Sequence, residues 1–229
     1  MNSEDYSINL RLGLHKLRSG LQQDGSSSRL EFPERSAASN TFAGRRGAGA
    51  LFEGAAMKDD GDGKLQWGLS AYNNDLAGGA PGRDELANES TALNYGVHLM
   101  WNSAGGKSES HAEGDLNHSG DFDWLVGGNV HFINDRYAGV KDEGRSINVF
   151  GAIKTGAGIA AQGEFWARSD EDPANGAGTD DSTGWYVQGS YTTAPGEGTQ
   201  YGFAARLGMV DLESANGGSV LEARGSQLA

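Results

Sequence analysis

The sequence predicts an all-β protein, an antiparallel up-and-down β-barrel that crosses a membrane with its strands. Three observations predict it. Apolar and polar residues alternate strictly over stretches of about eight to eleven positions, and a turn follows each stretch. No run approaches the roughly 20 apolar residues that a membrane-spanning helix needs. Glycine is abundant at 37 residues and proline scarce at 4, which disfavours long helices and suits sheets with many turns. A period of two puts alternate side chains on opposite faces, so each strand has one greasy and one wet face. Aromatic residues near the ends of the greasy faces fit the girdles of a transmembrane barrel, with lipid outside and a watery lumen inside. In a bilayer, closure of the barrel satisfies every backbone N–H and C=O.

Ten strands are expected, in order. The first runs over Tyr6–Leu14, with Arg11 opposite in direction to Leu10 and Leu12, and the second over Arg46–Ala56. Lys64–Asn73 sets Leu65, Trp67, Leu69 and Ala71 against Gln66, Gly68, Ser70 and Tyr72. Ala92–Trp101 sets Leu93, Tyr95, Val97, Leu99 and Trp101 against Asn94, Gly96, His98 and Met100. Phe122–Ile133, Arg145–Lys154 and Ile159–Arg168 follow. Gly184–Thr192 carries Trp185, Val187, Gly189 and Tyr191 on one face. Gln200–Val210 carries Tyr201, Phe203, Ala205, Leu207 and Met209, and Ser219–Leu228 is last.

Connections should alternate in length, with short turns at one end of the barrel and long loops at the other. Long polar connections are expected after Leu14, Asn73, Ile133, Arg168 and Val210. Short ones are expected after Ala56, Lys154 and Thr192. The stretch 102–121 falls where a short turn is due, so either the flanking strands extend into it or an insertion sits there. Acidic clusters at Asp59–Asp62, Asp84–Glu89, Asp170–Asp172 and Asp180–Asp181 are expected in loops, as solvated charge.

Only 37% of the 229 residues are hydrophobic and the mean hydropathy is −0.54. Polar alternate positions and loops account for both figures. A net charge of −13 argues against nucleic acid, whose binding depends on neutralised phosphates. With no cysteine, disulfides and thiolate metal sites drop out. No cofactor is implied. Asp59–Lys64 has the look of a calcium turn but lacks the spaced ligands and closing Glu of an EF-hand. The five histidines show no paired metal spacing. A Ser–His pair for an esterase could be drawn only from Ser70 and His98, and nothing marks them beyond their polar faces. The five tryptophans could anchor at a lipid interface or fill a soluble core. A soluble β-sandwich or β-barrel that binds a ligand is therefore the competing fold, and it requires the apolar faces to be buried.

Charge is segregated. Arg11–Arg46 holds Arg11, Lys16, Arg18, Arg29, Arg35, Arg45 and Arg46 against Asp24, Glu31 and Glu34, whereas the rest of the chain is strongly acidic. Basic residues near so long a loop could line a constriction and attract anions. Equally, they could be ordinary arginines paired with neighbouring carboxylates.

Leu12–Ser36, LGLHKLRSGLQQDGSSSRLEFPERS, resembles a segment of the phosphate-selective porins, the porin O/P family: strand, Gly-x-x-Lys, then a serine-bearing stretch ending in Glu-Arg. Thr41–Ala48, TFAGRRGA, resembles the Phe-Ala-x-Gly-Arg-x-x-Gly element that follows. IAAQGEFWAR (Ile159–Arg168), GWYVQGSY (Gly184–Tyr191) and FAARLGMVDLE (Phe203–Glu213) resemble the late strands in the same order. Pro33 and the Leu-Arg-Ser-Gly stretch after Lys16 depart from the pattern.

The resemblance implies a non-enzymatic porin of the bacterial outer membrane, sixteen-stranded and homotrimeric, passing small anionic or polar solutes by diffusion. Its partners would be outer-membrane lipid and those solutes. A loop, here Leu17–Ala43, would fold into the pore. By the match, Lys16, Arg35 and Arg45 bind anions, and with Arg11 and Arg18 they form the expected pore site. Ten strands, no secretory signal at the start and no terminal aromatic together imply a middle section of one partial barrel spanning 1–229.

Overall fold

The computed structural model describes residues 6–44, 46–57, 64–73, 92–103, 113–116, 118, 120–137, 140–171, 179–194, 200–212 and 219–228. The ten strands are β1 (Tyr6–Lys16), β2 (Arg46–Met57), β3 (Lys64–Asn73), β4 (Asn94–Asn102), β5 (Asp123–Tyr137), β6 (Val140–Lys154), β7 (Ile159–Glu171), β8 (Thr179–Thr192), β9 (Gly202–Leu212) and β10 (Ser219–Leu228). They form one antiparallel sheet in the order of the sequence. Each strand pairs with its neighbours in the chain, so the sheet is an up-and-down meander. It is open: among the described residues no pairing joins β1 to β10.

Two short helices, α1 (Leu21–Asp24) and α2 (Ala37–Phe42), interrupt the segment between β1 and β2. A single 3-10 turn, Ser27–Arg29, separates them.

Alternation places the side chains. Leu69, Leu99, Val126, Val149, Val187 and Phe203 all lie on one face, each about half exposed. Their opposites, among them Asn94, Asn129, His131, Asn148, Glu164, Gln188 and Arg206, are buried. A soluble sandwich or barrel would bury that face, so its exposure among the described residues counts against the competing fold. An uninterrupted apolar face of this size marks a surface made for an apolar environment.

Four tryptophans, Trp67, Trp101, Trp124 and Trp185, stand on the apolar face. The fifth, Trp166, is fully buried on the polar face. It packs against Phe42 and Tyr186 with ring centroids 6.4 and 6.3 Å away.

Strand ends depart from expectation at two connections. After Ile133 a long polar loop was expected, yet β5 and β6 pair as far as Tyr137 and Val140. After Arg168 the ladder likewise continues to Glu171 and Thr179. The hydropathy pattern lapses there, but a ladder needs only backbone N–H and C=O groups. The acidic residues Asp170, Asp180 and Asp181 consequently sit in strands rather than loops, with Asp170 opposite Asp180. Long connections therefore do not gather at one end of the sheet. The clusters Asp59–Asp62 and Asp84–Glu89, and the calcium-like turn apart from Lys64, lie outside the described residues.

The turn between β6 and β7 is as short as expected. Thr155 N donates to Ile159 O at 2.9 Å, and Gly156 and Gly158 take φ of 71° and 94°. That left-handed backbone favours glycine, and a Cβ at Gly158 would fall 2.2 Å from Thr192 O.

Candidate functional site

The polar face is covered by the chain's own connections. Residues 17–44 lie across it, held at three apolar contacts. Leu17 packs with Tyr72 and Ile133. Leu21 packs with Met100, Leu125 and Phe150. Phe42, with Ala38 and Ala43, packs with Trp166, Tyr186 and Val210. Each buried Leu or Phe stabilises this arrangement by about 1.5–3 kcal/mol.

Inward carboxylates complete the attachment through backbone N–H groups. Glu164 on β7 accepts from Leu21 N at 2.7 Å and Gln22 N at 2.9 Å, the unpaired donors that open α1. It also accepts from the Tyr186 hydroxyl at 2.7 Å. Glu222 on β10 accepts from Ala37 N at 2.7 Å, while Ser36 caps α2 by accepting from Ser39 N at 3.0 Å. Glu113 accepts from Glu31 N at 2.9 Å. His131 Nε2 donates to Arg18 O at 3.0 Å, which leaves Nδ1 to accept from the Tyr72 hydroxyl at 2.8 Å.

Glu113 belongs to the connection between β4 and β5. Those strands end at Asn102 and begin again at Asp123, so neither extends through it. Its described residues 113–116 reach the polar face from the other end of the sheet and meet the first segment there. Glu113 Oε1 accepts from Gln22 Nε2 at 2.6 Å and Gln162 Nε2 at 3.1 Å. Gln188 Nε2 donates to Glu113 Oε2 at 2.9 Å and to Glu31 Oε2 at 2.8 Å. Burial pushes the Glu31 carboxyl above the ordinary range.

The expected basic residues divide in two. Lys16 Nζ donates to Asp24 O at 3.2 Å and Gly25 O at 2.8 Å. Arg35 Nε donates to Gln22 O at 2.9 Å and its Nη2 to Gly25 O at 3.4 Å. Both therefore hold the carbonyl end of α1. Arg11 and Arg18 instead converge on one carboxylate, Glu53 of β2. Arg18 Nη1 also lies 3.7 Å from Asp24 Oδ2. Burial raises the Asp24 carboxyl to about 7, against the opposing pull of Arg18 and Lys16. Arg45 lies outside the described residues.

Arg206, which carried no signal as a cation of the basic segment, is buried on β9. Its Nε and Nη2 donate to Glu222 Oε1 at 3.1 and 2.8 Å. Its Nη1 donates to Glu34 O at 3.1 Å, and its guanidinium stands 4.5 Å over the Phe32 ring. Glu53, Glu164, Arg206 and Glu222 were legible only as charges at inward strand positions. Ser70 and His98 form no pair: Ser70 Oγ donates to Gly96 O at 3.5 Å, and the His98 ring stacks on Phe150.

A model of the family described as phosphate-selective porin O and P matches residues 2–218. No curated protein matches the chain.

Proposed function

We propose a channel mechanism on the premise of what the chain is: it belongs to the phosphate-selective porin O and P family of the bacterial outer membrane, whose members are not enzymes. As in a porin, small solutes pass through. In this reading they move by passive diffusion along the polar face, with the apolar face against lipid and the sheet completed to a closed barrel. Sixteen strands and a homotrimer are part of the same proposal.

The observation that supports it is the inverted sheet. Its buried side chains are polar and its exposed ones apolar, and its own connection fills the polar side. A barrel whose lumen is wet and whose exterior is lipid needs that inversion. Residues 17–44 are the proposed constriction, narrowing the channel.

A preference for anions, phosphate included, is assigned to the expected basic residues: Arg11 and Arg18 keep partly exposed side chains beside Glu53, and Lys16 and Arg35 hold carbonyl oxygens but keep their charge. The test is a planar-bilayer recording of the protein purified in detergent from its outer membrane. Stepwise conductance that scales with salt is expected. Bilayers that stay sealed at protein levels sufficient for other porins would overturn the proposal.

A further inference from the structure

We infer that Glu53 sets the ion preference of the channel, by offsetting part of the charge of two arginines that would otherwise draw anions to its polar face. The inference rests on the porin reading above and sharpens it at the same site. Glu53 stands at an inward position of β2, between Phe52 and Gly54. Its Oε1 meets Arg11 Nη2 at 2.5 Å and its Oε2 meets Arg18 Nη2 at 2.9 Å. The two guanidiniums come from opposite sides, one from β1 and one from the covering segment.

Accessibility makes this cluster consequential. The Arg11 and Arg18 side chains are 56% and 32% exposed, whereas Glu53 beneath them is 10% exposed. A polar cavity of about 120 Å³ opens beside them, lined by Arg18, Glu53, Asn9, Lys64, Gln66 and His98. Solutes moving along the polar face would meet the cluster at hydrogen-bonding range. Two arginines against one carboxylate leave an excess of positive charge, with Lys64 in the same cavity, and Asp24 on the far side of Arg18 offsets it in part. Signs alternate along the row Arg11, Glu53, Arg18, Asp24, so the parent channel's preference for anions is weak. Because one carboxylate serves both arginines, its loss uncovers both at once.

Reversal potentials in planar bilayers under a potassium chloride gradient test this, using the full protein as it exists in its membrane. A unit charge about 8 Å away through salt-screened water changes the local concentration of each ion about 1.4-fold, in opposite directions for anion and cation. Glu53→Gln should therefore raise the chloride-to-potassium permeability ratio about twofold. Arg18→Gln should lower it by a similar factor, and this second variant carries the test alone if Glu53→Gln fails to assemble. Conducting channels whose ratio stays at the parent value in these variants would overturn the inference and leave the porin reading standing. A parent protein that never conducts would overturn both.

Discussion

The two faces of the sheet share every strand and follow opposite rules. On the apolar face, Leu69, Leu99, Val149 and Val187 touch little of the protein and stay half exposed. Their contribution is collective, and no one of them has a specific partner to lose. On the polar face, Glu164, Glu222 and Arg206 are buried, and each engages particular atoms of a connection far away in sequence. One face is specified by residue class alone, the other by pairing. Substitutions should therefore act generically on the first and individually on the second.

The largest expected effect lies where the polar face is locally apolar. Phe42→Ala would empty the contact against Trp166, and deletion of a buried aromatic costs about 3–5 kcal/mol. Limited proteolysis should then cut within residues 17–44 while the strands stay intact. Loss of the whole sheet instead would show that the segment is integral to the fold rather than attached to it.

Next comes a direct comparison of the faces. Leu99→Arg should impair membrane assembly, because arginine at the midplane of a lipid-facing barrel strand costs roughly 2–4 kcal/mol. Asn9→Arg, on the polar face and exposed, should assemble normally in the same heat-modifiability assay. Equal damage at both positions would erase the proposed difference between the faces. Gly96 is unsuitable for this comparison although it points to the polar side, since a Cβ there would meet His131 at 2.8 Å.

Glu164→Ala should have a smaller, local effect. It leaves Leu21 N, Gln22 N and the Tyr186 hydroxyl without their acceptor, and an unsatisfied buried group costs about 1–3 kcal/mol. Hydrogen exchange at the amides of Leu21 and Gln22 should accelerate while those of β7 remain protected. Unchanged exchange would mean that the apolar contacts alone hold α1.

The smallest effect is on ion preference with pH. Asp24 sits beside Arg18 and Lys16, with Glu53 on the other side of Arg18, and its carboxyl titrates near 7. Its folded-state value lies above the ordinary one, so protonation favours the docked segment, and that contribution fades as pH rises through 7. Lowering the pH from 8 to 6 removes the Asp24 charge. The chloride-to-potassium permeability ratio should then rise about twofold, as for a unit charge one Debye length away. Asp24→Asn should shrink the change between those two values of pH.

Strand facing was readable from the chain because it depends only on backbone geometry. A period of two fixes which side chains share a face, and the turn residues mark where strands stop. Leu65, Trp67 and Leu69, or Trp185 and Val187, needed no partner to be assigned. The ladders beyond Ile133 and Arg168 were not readable, because there the pairing is carried by backbone groups that every residue except proline supplies. The basic segment was legible as charge but not as arrangement. Lys16, Arg18 and Arg35 look alike in sequence, yet two of them hold carbonyls and one shares Glu53 with Arg11.

By itself, then, the sequence determined an all-β meander with one apolar and one polar face, and a resemblance that the family match over residues 2–218 bears out. Tertiary structure alone decided which atoms hold the covering segment to the polar face. Glu164 reaches Gln22 across 142 positions, and Gln188 reaches Glu31 across 157. Such contacts follow from where the sheet brings distant positions together, and local propensity carries no record of them. The same holds for charge: Lys16 and Arg35 tether carbonyls while Arg11 and Arg18 share a carboxylate, according to which acceptor the fold sets within about 3 Å of each.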